Sequence, residues 1–464
     1  MRGRADMGNM TSRREFLRGA ACAGVAAAAE TGTHGADCRG RPPLLRIAIM
    51  SDIQGYPYPE DAGMRNLERA LDVIAPMKPD VVVNDGDIND SGRDADAVAW
   101  YKARCDARLG CLPHIACMGN HEIGFIPQEM ASMRTPAACL RDFNAVFGYG
   151  ADERVVRRTI RGFDFIALSL SRIEDYTEDE IGELKSALEA AVARDATRPV
   201  FVVTHYHPFG TVNNSDRERP GRALRRLLDS YPQAVSISGH THNPLQDPRS
   251  IWQGKFTAVD TSTLCYGCVE NNPPAANQIS CLVPYGHEAV GFMMAEVYDN
   301  GIAFRRFSAR DRQEIEPDNP WMVPWPHRPE APRYGFDGRR AVTPAPQFTV
   351  DPEPTLWYDF GYVYLMFNAV ERRSAVFGYR VELAEDGGGT RSYFHLSDYY
   401  RLEGNRTDRI VFKAPFGALK IGASYSCRIY PVGFFGSEGR PCKWNFSIRH
   451  SYALRSDEPN FVQE

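Results

Sequence analysis

An α/β layered domain followed by an all-β domain is the fold class this sequence predicts, on three observations. Short apolar runs alternate with amphipathic stretches from Leu44 to about Asp311. Prolines then crowd residues 312–346. From Gln347 onward the periodic signals are of the strand type.

The first domain is expected over residues 44–311. Its apolar runs are Leu44–Met50, Val81–Val83, His114–Met118, Phe163–Leu170, Val200–Thr204 and Ala234–Ser238. They are short, rich in Val and Ile, and apolar on both faces, as buried strands are. Between them Met64, Leu67, Leu71 and Ile74 fall at helical spacing, as do Ile181, Leu184, Leu188 and Val192. Strand–helix alternation of this kind argues a layered α/β domain. His114 sits inside an apolar run and reads as a satisfied core histidine.

Residues 312–346 carry Pro317, Pro320, Pro324, Pro326, Pro329, Pro332, Pro344 and Pro346. Proline at that density breaks helices and central strands, so the stretch reads as a linker or an extended wrap. Trp321 and Trp325 lie within it, and exposed tryptophans are rare in free linkers. The wrap is therefore expected to pack on a domain surface. In residues 347–464, Tyr362–Asn368, Phe377–Leu383, Ile410–Lys413 and Tyr425–Pro431 read as strands separated by turn residues.

The chain has 464 residues, more than one ordinary domain needs. Apolar residues make up 43% and charged residues 24%, enough for a sizeable core. The formal net charge of −5 comes with no basic stripe, so nothing signals a nucleic-acid partner. No apolar run reaches bilayer-spanning length. The 11 cysteines do not form the dense pattern of a disulfide scaffold. Cys265 and Cys268 form a lone C-x-x-C that reads as a disulfide or two buried thiols rather than a zinc site.

Residues 1–43 read as a leader. Ser12-Arg13-Arg14-Glu15-Phe16-Leu17 resembles the twin-arginine export motif, followed by a weakly apolar stretch and the small residues Ala27-Ala28-Ala29. The resemblance implies a periplasmic or extracellular protein.

Five apolar runs of the first domain end in polar residues of one kind. They lead into Asp52-Ile53-Gln54, Asp85-Gly86-Asp87, Gly119-Asn120-His121-Glu122, His205-Tyr206-His207 and Gly239-His240-Thr241-His242. Loops at the carboxyl ends of parallel strands converge on one crevice. Asp, Asn and His delivered there five times can surround two divalent cations. Asp87 can supply the shared anionic ligand, while imidazoles and an amide oxygen complete the shells without excess charge.

This series resembles the calcineurin-like metallophosphoesterases over about Leu44 to Asp311. The resemblance implies a layered β-sandwich flanked by helices, a phosphate-ester substrate and two divalent metal ions (Mn, Fe, Zn or Mg). It implies that Asp52 and His242 bind the first metal and that Asp87 bridges both. Asn120, His205 and His240 would bind the second. His121 would face the phosphate as a catalytic residue, oriented by Glu122. His205 closes its strand and is taken as the ligand, whereas His207 faces substrate or merely the loop.

Two positions depart from the family pattern. Gln54 stands where the first motif usually has histidine, and its carbonyl is taken as a harder metal ligand. Asp90 stands where purple acid phosphatases have the tyrosine that colours their iron. No purple band is expected, and Asp90 is expected to hydrogen-bond a ligand histidine instead. Tyr56, Pro57 and Tyr58 either wall the substrate pocket or fill a loop, and the same holds for Asn213 and Asn214.

The function expected is hydrolysis of phosphomono- or phosphodiesters by a metal-activated water. The alternative is a non-catalytic binding or cell-surface protein with a weakened site. Residues 347–464 resemble a fibronectin type III or immunoglobulin-like sandwich, on a tyrosine-corner pattern around Tyr425. That domain braces the first or binds carbohydrate or cell wall.

Overall fold

The computed structural model describes residues 41–90, 95–124, 135–216, 220–270, 279–280, 285–359, 362–371, 376–420, 422–448 and 461–463. Residues 1–40 of the expected leader lie outside them.

The described chain opens with β1 (Leu45–Met50), α1 (Ala62–Met77), β2 (Val81–Asn84), α2 (Ala95–Leu109), β3 (His114–Ala116), α3 (Asn120–Ile123) and α4 (Pro136–Phe147). It continues through β4 (Val155–Ile160), β5 (Phe163–Leu168), α5 (Glu178–Arg194), β6 (Val200–Thr204), α6 (Arg222–Leu228), β7 (Ala234–Ser238), β8 (Ile251–Gln253) and β9 (Thr257–Asp260). Two short strands, β10 (Val269–Glu270) and β11 (Ile279–Ser280), precede β12 (Gly291–Val297) and β13 (Gly301–Ser308). Then come β14 (Glu314–Ile315), β15 (Trp321–Pro324) and α7 (Phe336–Val342).

These strands make two mixed sheets. One runs β14-β13-β12-β1-β2-β3 with β15 also on β13, and the other runs β4-β5-β6-β7-β9-β8. β1, β2 and β3 are mutually parallel, and so are β5, β6, β7 and β9. β12 is antiparallel to β1. The sheets pack face to face, which explains why the apolar runs show no alternation. Ile47, Ile49, Val81, Val83, Phe165, Phe201, Val203, Val235 and Ile237 share one buried core between the sheets. Their neighbours Ala48, Met50, Val82, Ile166, Val202, and the helical residues Met64, Leu67, Leu71 and Ile74, form another under the helices. Almost every residue of these strands is therefore buried, Arg46 in β1 being partly exposed.

Helix starts follow local chemistry. Asp61 caps α1 by accepting from the Met64 N–H, and Thr177 caps α5 in a reciprocal box with Glu180. α1 ends at Lys78 in the left-handed region, after Pro76. Leu184 and Leu188 of α5 are buried, as their spacing predicts.

The proline-dense stretch differs from a linker. β14 and β15 extend the first sheet past residue 311, because Trp321 and Val323 alternate inward onto the sandwich core. Trp325 donates its indole N–H to the Thr197 carbonyl at 2.8 Å. The wrap thus adds strands to the first domain.

The C-terminal region is antiparallel throughout. It comprises β16 (Thr355–Asp359), β17 (Tyr362–Asn368), β18 (Gly378–Glu385), β19 (Thr390–Leu396), β20 (Arg409–Lys413), β21 (Ser424–Val432), β22 (Cys442–Ile448) and β23 (Phe461–Gln463). The sheet orders are β16-β17-β20 and β19-β18-β21-β22-β23. One apolar core lies between them, with Leu365, Phe367, Tyr379, Val381, Ile429 and Phe446 in it. The Lys420 N–H donates to the Tyr425 hydroxyl at 2.7 Å, as a tyrosine corner requires. This sandwich docks on the first domain: the Tyr400 hydroxyl donates to Asp247 at 2.7 Å, and Arg401 and the Leu402 N–H reach Glu288.

No helix among the described residues is long and apolar enough to cross a membrane. Cys265 is a free thiol, whereas Cys268 is disulfide-bonded, so the two do not pair with each other.

Candidate metal centre

The loops after β1, β2, β3, β6 and β7 meet at the carboxyl edge of the parallel strands. Asp52, Asp87, Asn120, His205 and His242 are all buried there. One oxygen of Asp87 and one ring nitrogen each of His205 and His240 lie within 4.8 Å of one another. His205 Nε2 is 3.2 Å from Asp87 Oδ2 and 2.8 Å from Asn120 Oδ1. On the other side, His242 Nε2 is 2.9 Å from Asp52 Oδ1, and the His240 N–H donates to Asp52 Oδ2 at 3.1 Å.

Backbone carbonyls fix the imidazoles. His205 Nδ1–H donates to the Asp85 carbonyl at 3.0 Å, and His242 Nδ1–H donates to the Tyr266 carbonyl at 2.8 Å. Each ring therefore turns its Nε2 toward the carboxylates. His121 Nδ1–H donates to the Asp90 carbonyl at 2.6 Å, and Gln54 Nε2 donates to His121 Nε2 at 3.0 Å. The His121 N–H donates to Asp87 Oδ1 at 2.9 Å.

Charge completes the description. Burial disfavours ionised Asp87, yet the His205 and His121 imidazoles hold its carboxyl far below the usual range. Burial likewise opposes Asp52, which His242 nonetheless holds low. Against burial, Asp87 pushes His205 up to about 10. Buried carboxylates here draw positive charge onto neighbouring rings, as a cation site would.

The residues fit divalent metal. Two carboxylates, three imidazoles and two amides converge, a borderline-to-hard donor set. Gln54 Oε1 is buried without a hydrogen-bond partner, an orphan that a cation would satisfy.

Several site residues stand differently from expectation. Glu122 does not orient His121. Its carboxylate accepts from the N–H groups of Asp87, Ile88, Asn89 and Gly119 at 2.6–3.1 Å, so it holds the metal loops from beneath. It is a positioning residue because its fully buried oxygens are consumed by backbone donors. Asp90 contacts His121 through its carbonyl rather than a ligand histidine, and its side chain accepts from the Tyr56 hydroxyl at 2.6 Å. His207 turns away from Asp87: its ring nitrogens lie 2.6 Å from Ser238 Oγ and 2.9 Å from Thr241 Oγ1. Asn213 and Asn214 are buried against Asn243 rather than walling a pocket.

Sequence reasoning missed Asp85 and Asp260. Asp85 is fully buried, accepts from Thr261 at 2.7 Å, and is pushed up to about 8 by burial and then by Asp52. Asp260 accepts from Thr241, between His240 and His242, at 2.7 Å. Asp85 stands two residues before Asp87, which was the available signal. Asp260 has none, because its loop carries no motif.

Comparison with known proteins bears on this arrangement. The sequence model named calcineurin-like phosphoesterase matches residues 45–244, from the first residue of β1 to just past His242. Over residues 45–244 the chain is therefore similar to the calcineurin-like phosphoesterases. The match spans all nine expected site residues. Among solved structures, a purple acid phosphatase from yellow lupin (Lupinus luteus) seeds is similar at 12% identity and a TM-score of 0.43. That likeness covers 58% of this chain and 52% of the lupin chain, so the present chain spans about half the lupin protein's length. A protein from Thermus thermophilus is similar at 11% identity and a TM-score of 0.33, over 58% of this chain and 97% of its own. A cold-active protein-tyrosine phosphatase of a psychrophilic Shewanella is similar at 14% identity and a TM-score of 0.26, over 58% and 80%. No curated protein matches the sequence.

Proposed function

We propose that this chain is an exported phosphoesterase that transfers the phosphoryl group of a mono- or diester to water at two divalent cations. The observation that carries the reading is the convergence of Asp87, His205 and His240 ligand atoms within 4.8 Å, beside Asp52 and His242. Asp52, Gln54, Asp87 and His242 would hold one cation, and Asp87, Asn120, His205 and His240 the other. Bound there, the cations supply Lewis-acid stabilisation of phosphoryl charge and a more acidic water.

The chain's own groups do the rest. Backbone acceptors fix the tautomers, so no side-chain rearrangement is needed before ester binds. Glu122 ties the β2 and β3 loops into one unit and keeps Asp87 in register with Asn120. His121 Nε2 points to the Asp87 side, with Nδ1–H anchored on Asp90. Once Gln54 turns its amide oxygen to a cation and releases Nε2, a proton taken up at Nε2 would pass to the departing ester oxygen. Overall a water oxygen bonds phosphorus, the P–O ester bond breaks, and the leaving oxygen receives a proton to give an alcohol.

Export rests on Arg13, Arg14 and the small-residue stretch that follows.

Hydrolysis of p-nitrophenyl phosphate and its bis-ester by the manganese-loaded chain tests the reading. Turnover of at least one is expected, with Asp87→Ala losing roughly a hundredfold or more in kcat and most of its bound metal. No turnover of either by metal-loaded protein sinks the proposal.

A further inference from the structure

The site's mouth carries aromatic side chains that its metal chemistry does not use. Two loops bring them. The first follows β1 and holds Gln54, Tyr56 and Tyr58. The second follows β9 and holds Leu264, Cys265 and Tyr266. The loops are joined by backbone: the Leu264 N–H donates to the Ser51 and Asp52 carbonyls, and the Cys265 N–H to the Asp52 carbonyl.

Each loop turns a flat ring toward solvent beside the catalytic groups. Tyr56 is tied by its hydroxyl to Asp90, whose carbonyl anchors His121. Tyr58 stacks on Tyr56, with centroids 5.9 Å apart and planes 10° from parallel. Tyr266 lies against the His242 ring at 4.6 Å. Tyr58 is nonetheless 47% exposed and Tyr266 37% exposed. Among the described residues these are the two tyrosines in the set of exposed large apolar side chains, and both flank metal-binding loops.

Exposed aromatic rings held at a polar site present an apolar face that a flat partner covers well. Tyrosine does so at low cost in side-chain entropy, and stacking on it tolerates any ring chemistry. We propose that Tyr58 and Tyr266 are specificity residues that stack on a planar aromatic group of the substrate, making this a hydrolase for aryl or nucleoside phosphate esters rather than polyol or sugar phosphates. The inference rests on the phosphoesterase reading above and names the substrate class for the same site.

Competition against p-nitrophenyl ester turnover by the manganese-loaded full chain separates the two readings. Four inhibitors form two pairs, each sharing one acidic group: phenylphosphonate with methylphosphonate, and adenosine 5′-monophosphate with ribose 5-phosphate. The ring-bearing member of at least one pair is expected to bind roughly tenfold tighter. Preference in the first pair alone marks an aryl ester, and in the second a nucleotide. In the Tyr58→Ala/Tyr266→Ala double variant the preference falls to within about twofold of none, while Tyr58→Phe/Tyr266→Phe, which keeps the rings, retains it. Equal binding within both pairs overturns the proposal, as does a preference that survives the double alanine change. Absence of any ester turnover instead overturns the parent reading, and this one with it. A thermal melt of each variant identifies failure to fold, in which case the paired inhibition constants of the unaltered chain and the phenylalanine variant decide.

Discussion

Asp52, Gln54, Asp87, His240 and His242 all sit at φ between +43° and +69°, on backbone that side-chain-bearing residues seldom adopt. Left-handed conformation costs such residues about 1 kcal/mol or more each. The site therefore accepts strain at five of its expected metal-binding positions, because a strand that has just ended must turn sharply to aim its side chain back across the edge. Gly239 shows the same crowding: a Cβ there would press on the Asp52 carboxylate and Ser51 Oγ. His114 illustrates the opposite case, a titratable residue outside the chemistry. It is buried beside Tyr101 and Phe147, with neither ring nitrogen hydrogen-bonded, so it is a core histidine but an unsatisfied one. Burial, then Lys102, push it down to about 4, while Asp106 at 3.6 Å only partly offsets them. The unfolded chain protonates this ring near its ordinary value and the folded chain does not until far lower pH. Its contribution is thus complete above about pH 6.5 and is lost as pH falls toward 4, by roughly 3 kcal/mol at most. Urea midpoints at pH 7 and pH 5 should therefore differ less in His114→Leu than in the unaltered chain; an equal fall in both would contradict this. Residue types at the site were legible in the sequence, since Asp, Asn and His follow apolar runs. Their backbone angles were not, because φ at a strand end is imposed by where the chain must go next.

Strands and helices obey more local rules. The 3.6-residue spacing of Met64, Leu67, Leu71 and Ile74 places one face of α1 on the sheet, and the structure buries that face. The apolar runs give strands, yet their lack of alternation cannot say whether the second face meets helices or another sheet. Here it meets another sheet. β12 joins the first sheet antiparallel to β1, with β13 folded back on it as a hairpin, and partners as distant in sequence as β1 and β12 leave no local mark. Tyr425 is the element-scale case where a short pattern did suffice. Its hydroxyl accepts the Lys420 N–H and fixes the approach to β21, so Tyr425→Phe leaves that donor unpaired. A loss of about 1–2 kcal/mol is expected by urea denaturation, with secondary structure retained. An unchanged midpoint would show that the corner does not stabilise the sandwich.

At the scale of the whole molecule, the second sandwich packs on the first domain. Val269 and Ala289 of the first domain share an apolar cluster with Phe377, Tyr400 and Phe434 of the second. Arg249 lies over the Phe377 ring at 4.8 Å, and Asp247, which receives the Tyr400 hydroxyl, stands five residues after His242. The docking surface therefore begins where the last metal-binding loop ends. Truncation near Arg340 uncovers that cluster and removes partners of buried Asp247 and Glu288. We expect aggregation, or a melting temperature lower by on the order of 10 °C by calorimetry. A truncated chain as soluble and as stable as the full one would show an independent module instead.

By itself the sequence determined the two fold classes, the order of the domains and which residue types arrive at the strand ends, because periodicity and short polar motifs are local properties. Only the tertiary structure decided that Glu122 serves the backbone while Asp90 anchors His121, that His207 bonds Ser238 and Thr241, and that the loop after β9 joins the loop after β1. Those outcomes depend on which distant loops share an edge, and the pairing of sheets settles that long after local propensity has had its say.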